Sequence, residues 1–144
     1  MKKVLVIDDE EPIRLNLSDL LAEENFEVID APNGIQGLQL AFEQQPDLII
    51  CDVNMPDIDG FQVLEKIREN LATAKIPFIF LSAGDDTVYR QKALQLGANN
   101  YLSKPVNFEK LLSAINAQLK KFWRWIFPDS ESTIASYPGA VTRP

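Results

Sequence analysis

Apolar residues along this chain follow two rhythms. Short unbroken runs form the first: Val4-Leu5-Val6-Ile7, Leu48-Ile49-Ile50-Cys51 and Pro77-Phe78-Ile79-Phe80-Leu81. Between them, apolar residues recur every three or four positions, the period of an amphipathic helix. Ile13, Leu17, Leu20 and Leu21 make one stripe, with Pro12 near the helix start, where its missing N–H costs little. Ile35, Leu38 and Phe42 make a second, Leu64, Ile67 and Leu71 a third, and Leu111, Leu112, Ile115 and Leu119 the last. The pattern predicts strands near 3–7, 26–30, 47–51, 77–81 and 99–102. A fourth helix is expected from Asp86-Thr87 to Leu96 with Gly97 as its C-terminal cap, and a fifth after Asn107 as N-cap. Five strands alternating with five helices imply an α/β fold with a parallel sheet and right-handed connections.

Each strong run ends on a residue capable of chemistry. Val4–Ile7 leads into Asp8-Asp9, the second run into Asp52, the third into Ser82, and Tyr101-Leu102-Ser103 into Lys104-Pro105. Strand ends of a parallel sheet meet at its carboxyl edge, where open α/β sheets place their sites. Three carboxylates, a hydroxyl and an ammonium would share one pocket there. Carboxylates so close repel unless a cation lies among them, and hard oxygen ligands suit Mg²⁺. Asp52 at a strand terminus beside a metal is a plausible nucleophile toward phosphorus. Ser82 and Lys104 could both hold a tetrahedral anion. Taken singly, each residue has a plainer reading: an acidic start to the first helix, a turn aspartate, commonplace loop residues. Lys104-Pro105 is a candidate cis peptide that would aim the lysine at the pocket.

Composition narrows the class. The 144 residues suit one domain, and 46% hydrophobic with 24% charged residues is the balance of an ordinary globular protein. A net charge of −7 does not favour direct nucleic-acid binding. The one cysteine, Cys51, cannot form an internal disulfide and reads as inert core, which fits the cytoplasm. No apolar stretch approaches the ~20 residues of a membrane span. There is no histidine, so any phosphohistidine must belong to a partner.

Joint order and spacing carry a resemblance. Val6-Ile7-Asp8-Asp9-Glu10, the segment Cys51 to Gly60, Leu81-Ser82-Ala83, Gly97-Ala98 and Tyr101-Leu102-Ser103-Lys104-Pro105 together resemble the receiver domain of two-component response regulators, over about residues 2–120. The resemblance implies a flavodoxin-like, doubly wound five-stranded sheet in the order 2-1-3-4-5. It implies that Asp52 is phosphorylated by a sensor histidine kinase or a histidine phosphotransfer protein. Asp9, Asp52 and the backbone carbonyl of Asn54 would ligate Mg²⁺, or equally Mn²⁺, with Asp8 acting through an intervening water. Lys104 would hold a phosphoryl oxygen, and Ser82 would move to hold another. Tyr101 would swing inward as Ser82 moves, reshaping the surface of helix four, strand five and helix five. That surface would meet a downstream protein or fused output domain, or pair two copies. The resemblance also implies that Asn54 and Gly84 occupy the positions that tune phosphoryl lifetime.

Two other readings compete. A receiver-like module could dock proteins without phosphorylation, although the complete set Asp8, Asp9, Asp52, Ser82 and Lys104 speaks against it. A metal-dependent phosphohydrolase would need an acid two residues after Asp52, where Asn54 stands, and a substrate cap. The chain is therefore expected to catalyse only its own phosphoryl transfer and dephosphorylation. Composition changes after Lys121, so residues 1–121 read as the receiver and 122–144 as a helix-five extension with a tail or linker. The segment Lys120 to Trp125 also resembles a short basic-aromatic membrane-surface patch, a role its attachment to a packed helix makes a poor fit.

Overall fold

A computed structural model describes residues 1–84 and 86–126, the last six by their backbone alone. The chain divides into two compact units, the first Met1–Val106 and the second beginning at Asn107. In the first, β1 (Lys3–Ile7), α1 (Glu11–Glu23), β2 (Glu27–Ala31), α2 (Gly34–Gln44), β3 (Leu48–Asp52), α3 (Gly60–Glu69), β4 (Phe78–Ala83), α4 (Thr87–Gln95) and β5 (Asn100–Lys104) follow one another. The strands form one parallel sheet in the order β2-β1-β3-β4-β5, the flavodoxin-like order the resemblance implies. In the second unit α5 (Phe108–Ile126) starts at Asn107, whose side chain accepts from the Lys110 N–H at 3.1 Å. Leu111, Ile115 and Leu119 are its buried stripe. The aromatic segment 122–127 and the tail expected beyond it lie outside the described residues, apart from the helical backbone to Ile126.

The unbroken apolar runs follow from burial on both faces of the sheet. On one face Leu5, Ile7, Ile49, Cys51, Phe78, Phe80 and Tyr101 pack with Ala41 of α2, Val63, Leu64 and Ile67 of α3, and Ala93 of α4. Val4, Val6, Leu48, Ile50, Ile79 and Leu81 point the other way, the alternation a strand imposes, and are equally buried. Leu17 and Leu21 are the buried residues of α1.

Two helix stripes differ from expectation. The inner face of α2 is Gly34, Gly37 and Ala41, whereas Ile35 is 59% exposed and Phe42 39%. Small residues let α2 lie close to its neighbours: a Cβ on Gly37 would come within 2.5 Å of Ile7, and one on Gly34 within 2.6 Å of Ile58. The helix packs closely through its small residues, so Ile35 and Phe42 face out while Leu38 of the expected stripe stays partly buried against the core. Leu71 does not extend the α3 stripe. The helix ends at Glu69, and Leu71 is exposed in the following turns.

Two loops aim the carboxyl edge. After β3 the chain turns back at once, because the Gly60 N–H donates to the Val53 carbonyl at 2.7 Å. A Cβ on Gly60 would collide with the Asp52 carbonyl, so this approach needs glycine. Asp59 and Gln62 then form a capping box at the start of α3. Asp57 accepts from the Gly34 and Ile35 N–H groups at 3.1 and 2.8 Å and so ties this loop to the start of α2. Burial alone would raise its carboxyl, and the backbone N–H bonds together outweigh it and hold the carboxyl below the usual range.

Candidate phosphoryl-acceptor site

Strand ends deliver the site residues, and the strands run slightly further than the apolar runs. Asp52, Ser82 and Lys104 all lie within strands rather than just past them. Asp52 pairs in register with Leu81, Ser82 with Ser103, and Ala83 with Lys104. Asp8 directly follows β1, and its N–H donates to the Ala31 carbonyl at 3.1 Å. Asp8, Asp52 and Ser82 are buried.

Lys104 is the hub. Its ammonium is 2.9 Å from Asp8 Oδ2, 3.3 Å from Asp52 Oδ2 and 3.1 Å from Glu10 Oε1. The Lys104–Pro105 peptide is cis. Burial alone would favour the neutral amine. Asp8, Asp52 and Glu10 outweigh it and hold the ammonium well above the ordinary lysine range. Asp52 moves the other way from a normal aspartate. Burial raises it most, Lys104 pulls it down, Asp8 pushes it up again, and the result is about 6. One cation among three carboxylates leaves the pocket with surplus negative charge.

The grouping expected from the sequence is only partly assembled. The carboxylates whose oxygens come within 4.8 Å of one another are Asp8, Glu10 and Asp52. Asp9 is exposed and not among them, and Asn54 is exposed as well. Glu10 is the participant that residue-by-residue reasoning missed. Its N–H donates to Asp8 Oδ1 at 2.9 Å, and this turn brings its carboxylate round to Lys104. The signal was the uninterrupted Asp8-Asp9-Glu10 run, in which only the aspartates received a role. Tyr101, expected to swing inward as Ser82 moves, is 1% exposed and already inward. Cys51 is buried with its thiol pushed well up, by burial first and Asp52 second, as expected of inert core.

The donor set fits a hard divalent cation. Three carboxylate oxygens converge, and the buried Asp8 Oδ2 has an ion-pair partner in Lys104 but no bond of hydrogen-bond geometry among the described residues. A cation would offset the carboxylate charge that adds to the effect of burial on Asp52. The same edge also offers an ammonium and a buried hydroxyl to an anion.

Comparison with known proteins agrees with this geometry. The family described as response regulator receiver domain matches residues 4–116. A curated relative, "Probable chemotaxis protein CheY" of Rhizobium etli, is 45% identical over 116 residues, covering 80% of this chain and 90% of the relative. A second, "Probable transcriptional regulator ycf29" of Pyropia yezoensis, is 38% identical over 114 residues, which are 79% of this chain and 51% of that protein. Among solved structures, chemotaxis response regulator CheY4 of Vibrio cholerae superposes with a TM-score of 0.79 at 34% identity, covering 83% of this chain and 99% of the other. Five parallel strands in the receiver order, an acidic cluster with a lysine at their carboxyl edge, and a family match across the whole sheet lead to one conclusion: the chain belongs to the response regulator receiver family, the signalling module of two-component phosphorelays.

Proposed function

We propose that Asp52 is the phosphoacceptor. The observation that supports this most is its carboxylate, buried at the end of β3 with the Lys104 ammonium 3.3 Å away. In the reaction an Asp52 Oδ–P bond forms as the P–N bond of a partner's phosphohistidine breaks. The leaving imidazole takes its proton from solvent, and the product is an acyl phosphate. The partner is a sensor histidine kinase or a histidine phosphotransfer protein.

Lys104 holds one phosphoryl oxygen by a charge-assisted bond, and the Ser82 hydroxyl closes on another. Mg²⁺, or Mn²⁺ on the same ligands, supplies charge neutralisation at the acceptor. Asp52, Asp9 and the Asn54 carbonyl would hold it, with Asp8 through an intervening water, and Asp9 would turn in from its exposed position. Glu10 neighbours the same space and is a further oxygen donor.

The chain catalyses only its own phosphorylation and dephosphorylation. Gly84 has a φ of +92° and open space where a Cβ would stand, so nothing at that position shields the acyl phosphate. Its lifetime then depends on Asn54 and on water access. The receiver spans residues 1–121 in this reading, with 122–144 as an extension or linker. It works in the cytoplasm; among the described residues no helix is long and apolar enough to cross a membrane. The α4–β5 region carries the output to a downstream protein or a fused output domain, and pairing of two receivers through that region is one form of it. Sedimentation with and without beryllofluoride reads that pairing.

Beryllofluoride, a phosphoryl analogue, tests the switch directly. With Mg²⁺ it is expected to shift the amide resonances of Ser82 and Tyr101. Unchanged resonances at both positions would overturn the proposed switch.

A further inference from the structure

The Tyr101 ring is buried beside Phe80, with centroids 6.2 Å apart. Its hydroxyl finds no hydrogen-bond partner among the described residues. Buried tyrosine hydroxyls ordinarily find one, and leaving one without a partner opposes burial of the ring. Some other interaction must favour the inward position.

Arg90 of α4 supplies it. Its guanidinium carbon stands 5.0 Å from the centre of the Tyr101 ring, within cation–π range. Its Nη1 also donates to the Tyr101 carbonyl at 2.9 Å. One side chain therefore grips both the ring and the backbone of the same residue. The grip also crosses from helix to strand. Ala93 is the buried residue of α4 and the half-exposed Tyr89 packs edge-on against Phe61, while Val88 and Leu94 are exposed, so the helix has limited apolar anchorage of its own. A charged clamp to β5 thus weighs heavily in where α4 sits.

We infer that Arg90 is a positioning residue: it holds Tyr101 inward before phosphorylation and couples the place of α4 to the place of that ring. The inference rests on the phosphoryl switch proposed at Ser82 and extends it. A ring already inward presets the α4–β5 region toward the state that phosphorylation favours. Phosphorylation then has less to change there, and a ligand shifts such an equilibrium only by its differential affinity for the two states.

The test has two readouts. In the unphosphorylated protein, relaxation of tyrosine ring signals by a soluble gadolinium chelate reports ring exposure, with Tyr101→Phe assigning the signal. Tyr101 is expected to be protected in wild type, exposed in Arg90→Met, and intermediate in Arg90→Lys, which keeps the cation but not the planar donor. Unchanged protection in Arg90→Met with an otherwise intact amide spectrum would overturn the inference.

Beryllofluoride affinity gives the second readout. Arg90→Met is expected to weaken it about fivefold, the size of one cation–ring coupling. The loss should vanish in a Tyr101→Ala background. An equal loss in both backgrounds would show that Arg90 acts by holding the fold and would overturn the positioning role. If wild type binds no beryllofluoride, the phosphoryl reading fails, and the tyrosine signal still decides the clamp.

Discussion

Among the described residues, at the amino edge of the sheet one cation, Arg68, faces only neutral oxygens, whereas at the carboxyl edge Lys104 faces three carboxylates. Arg68 of α3 donates to the carbonyls of Ala74 and Ile76 at 3.1 and 2.6 Å, twice to the Gly97 carbonyl at 2.8 and 3.2 Å, and to Asn99 Oδ1 at 3.1 Å. Five guanidinium N–H groups make five bonds, so the fork is saturated. Asn99 Oδ1 in turn accepts from the Phe78 N–H at 2.8 Å, and the buried Thr73 hydroxyl donates to the Ile67 carbonyl at 2.8 Å. This edge is complete without a ligand. The other edge is not. Its aspartate is pushed up to about 6 and its buried Asp8 oxygen lacks a well-formed hydrogen bond. A satisfied charge network at the end of a sheet is structure, and an unbalanced one awaits an ion or a reactant.

Breaking the complete edge should cost the most stability. Arg68→Met strands carbonyls at the starts of β4 and β5 and is expected to lower unfolding free energy by about 3 kcal/mol. Chemical denaturation measures this. Arg68→Lys should rescue little, because one ammonium cannot reach both loops. A loss below about 0.5 kcal/mol, the range of a neutral surface change, would end the contrast between the edges.

Gly60→Ala joins the two kinds of effect. Its new Cβ must displace the Asp52 carbonyl. Overpacking of this kind costs about 2 kcal/mol. The shift should also slow phosphorylation of Asp52, read as the initial rate with a small phosphodonor. A variant with wild-type stability and rate would show that the β3–α3 loop does not set the acceptor's position.

The smallest expected effect has the opposite sign. The folded pKa of Asp52, about 6, lies above the ordinary aspartate value of 3.8, so folding favours the neutral carboxyl. Its contribution to stability is complete below about pH 3.8 and is lost as pH rises through 6. At pH 7.5 without metal, Asp52→Asn is therefore expected to be more stable than wild type by about 1 kcal/mol, allowing for solvent screening. The gap should shrink as pH falls from 6 toward 4, and Mg²⁺ should stabilise wild type more than the variant. Paired thermal melts across that pH range check both points. A destabilised Asp52→Asn at pH 7.5 would contradict the surplus-charge account.

The carboxyl edge was largely legible in the sequence and the amino edge was not, for a physical reason. Asp8, Asp52, Ser82 and Lys104 each follow an apolar run, so the register of a parallel sheet gathers them by geometry alone. Arg68 sits in a helix and reads as a surface charge, because its partners are backbone carbonyls that no side-chain pattern announces. The inner face of α2 was misread for a related reason. Helical periodicity weights Ile35 and Phe42 by hydrophobicity, whereas Gly34, Gly37 and Ala41 are buried because they are small. Glu10 and Arg90 depend on how a turn and a helix start direct a long side chain, and that is settled by tertiary packing.

In the proposed reading the unbalanced edge receives a phosphoryl group on Asp52. Incubation with acetyl phosphate and Mg²⁺, followed by intact-mass measurement, tests it most directly. One added phosphoryl group is expected in wild type and none in Asp52→Asn. No addition to wild type, or equal addition to the variant, would contradict it.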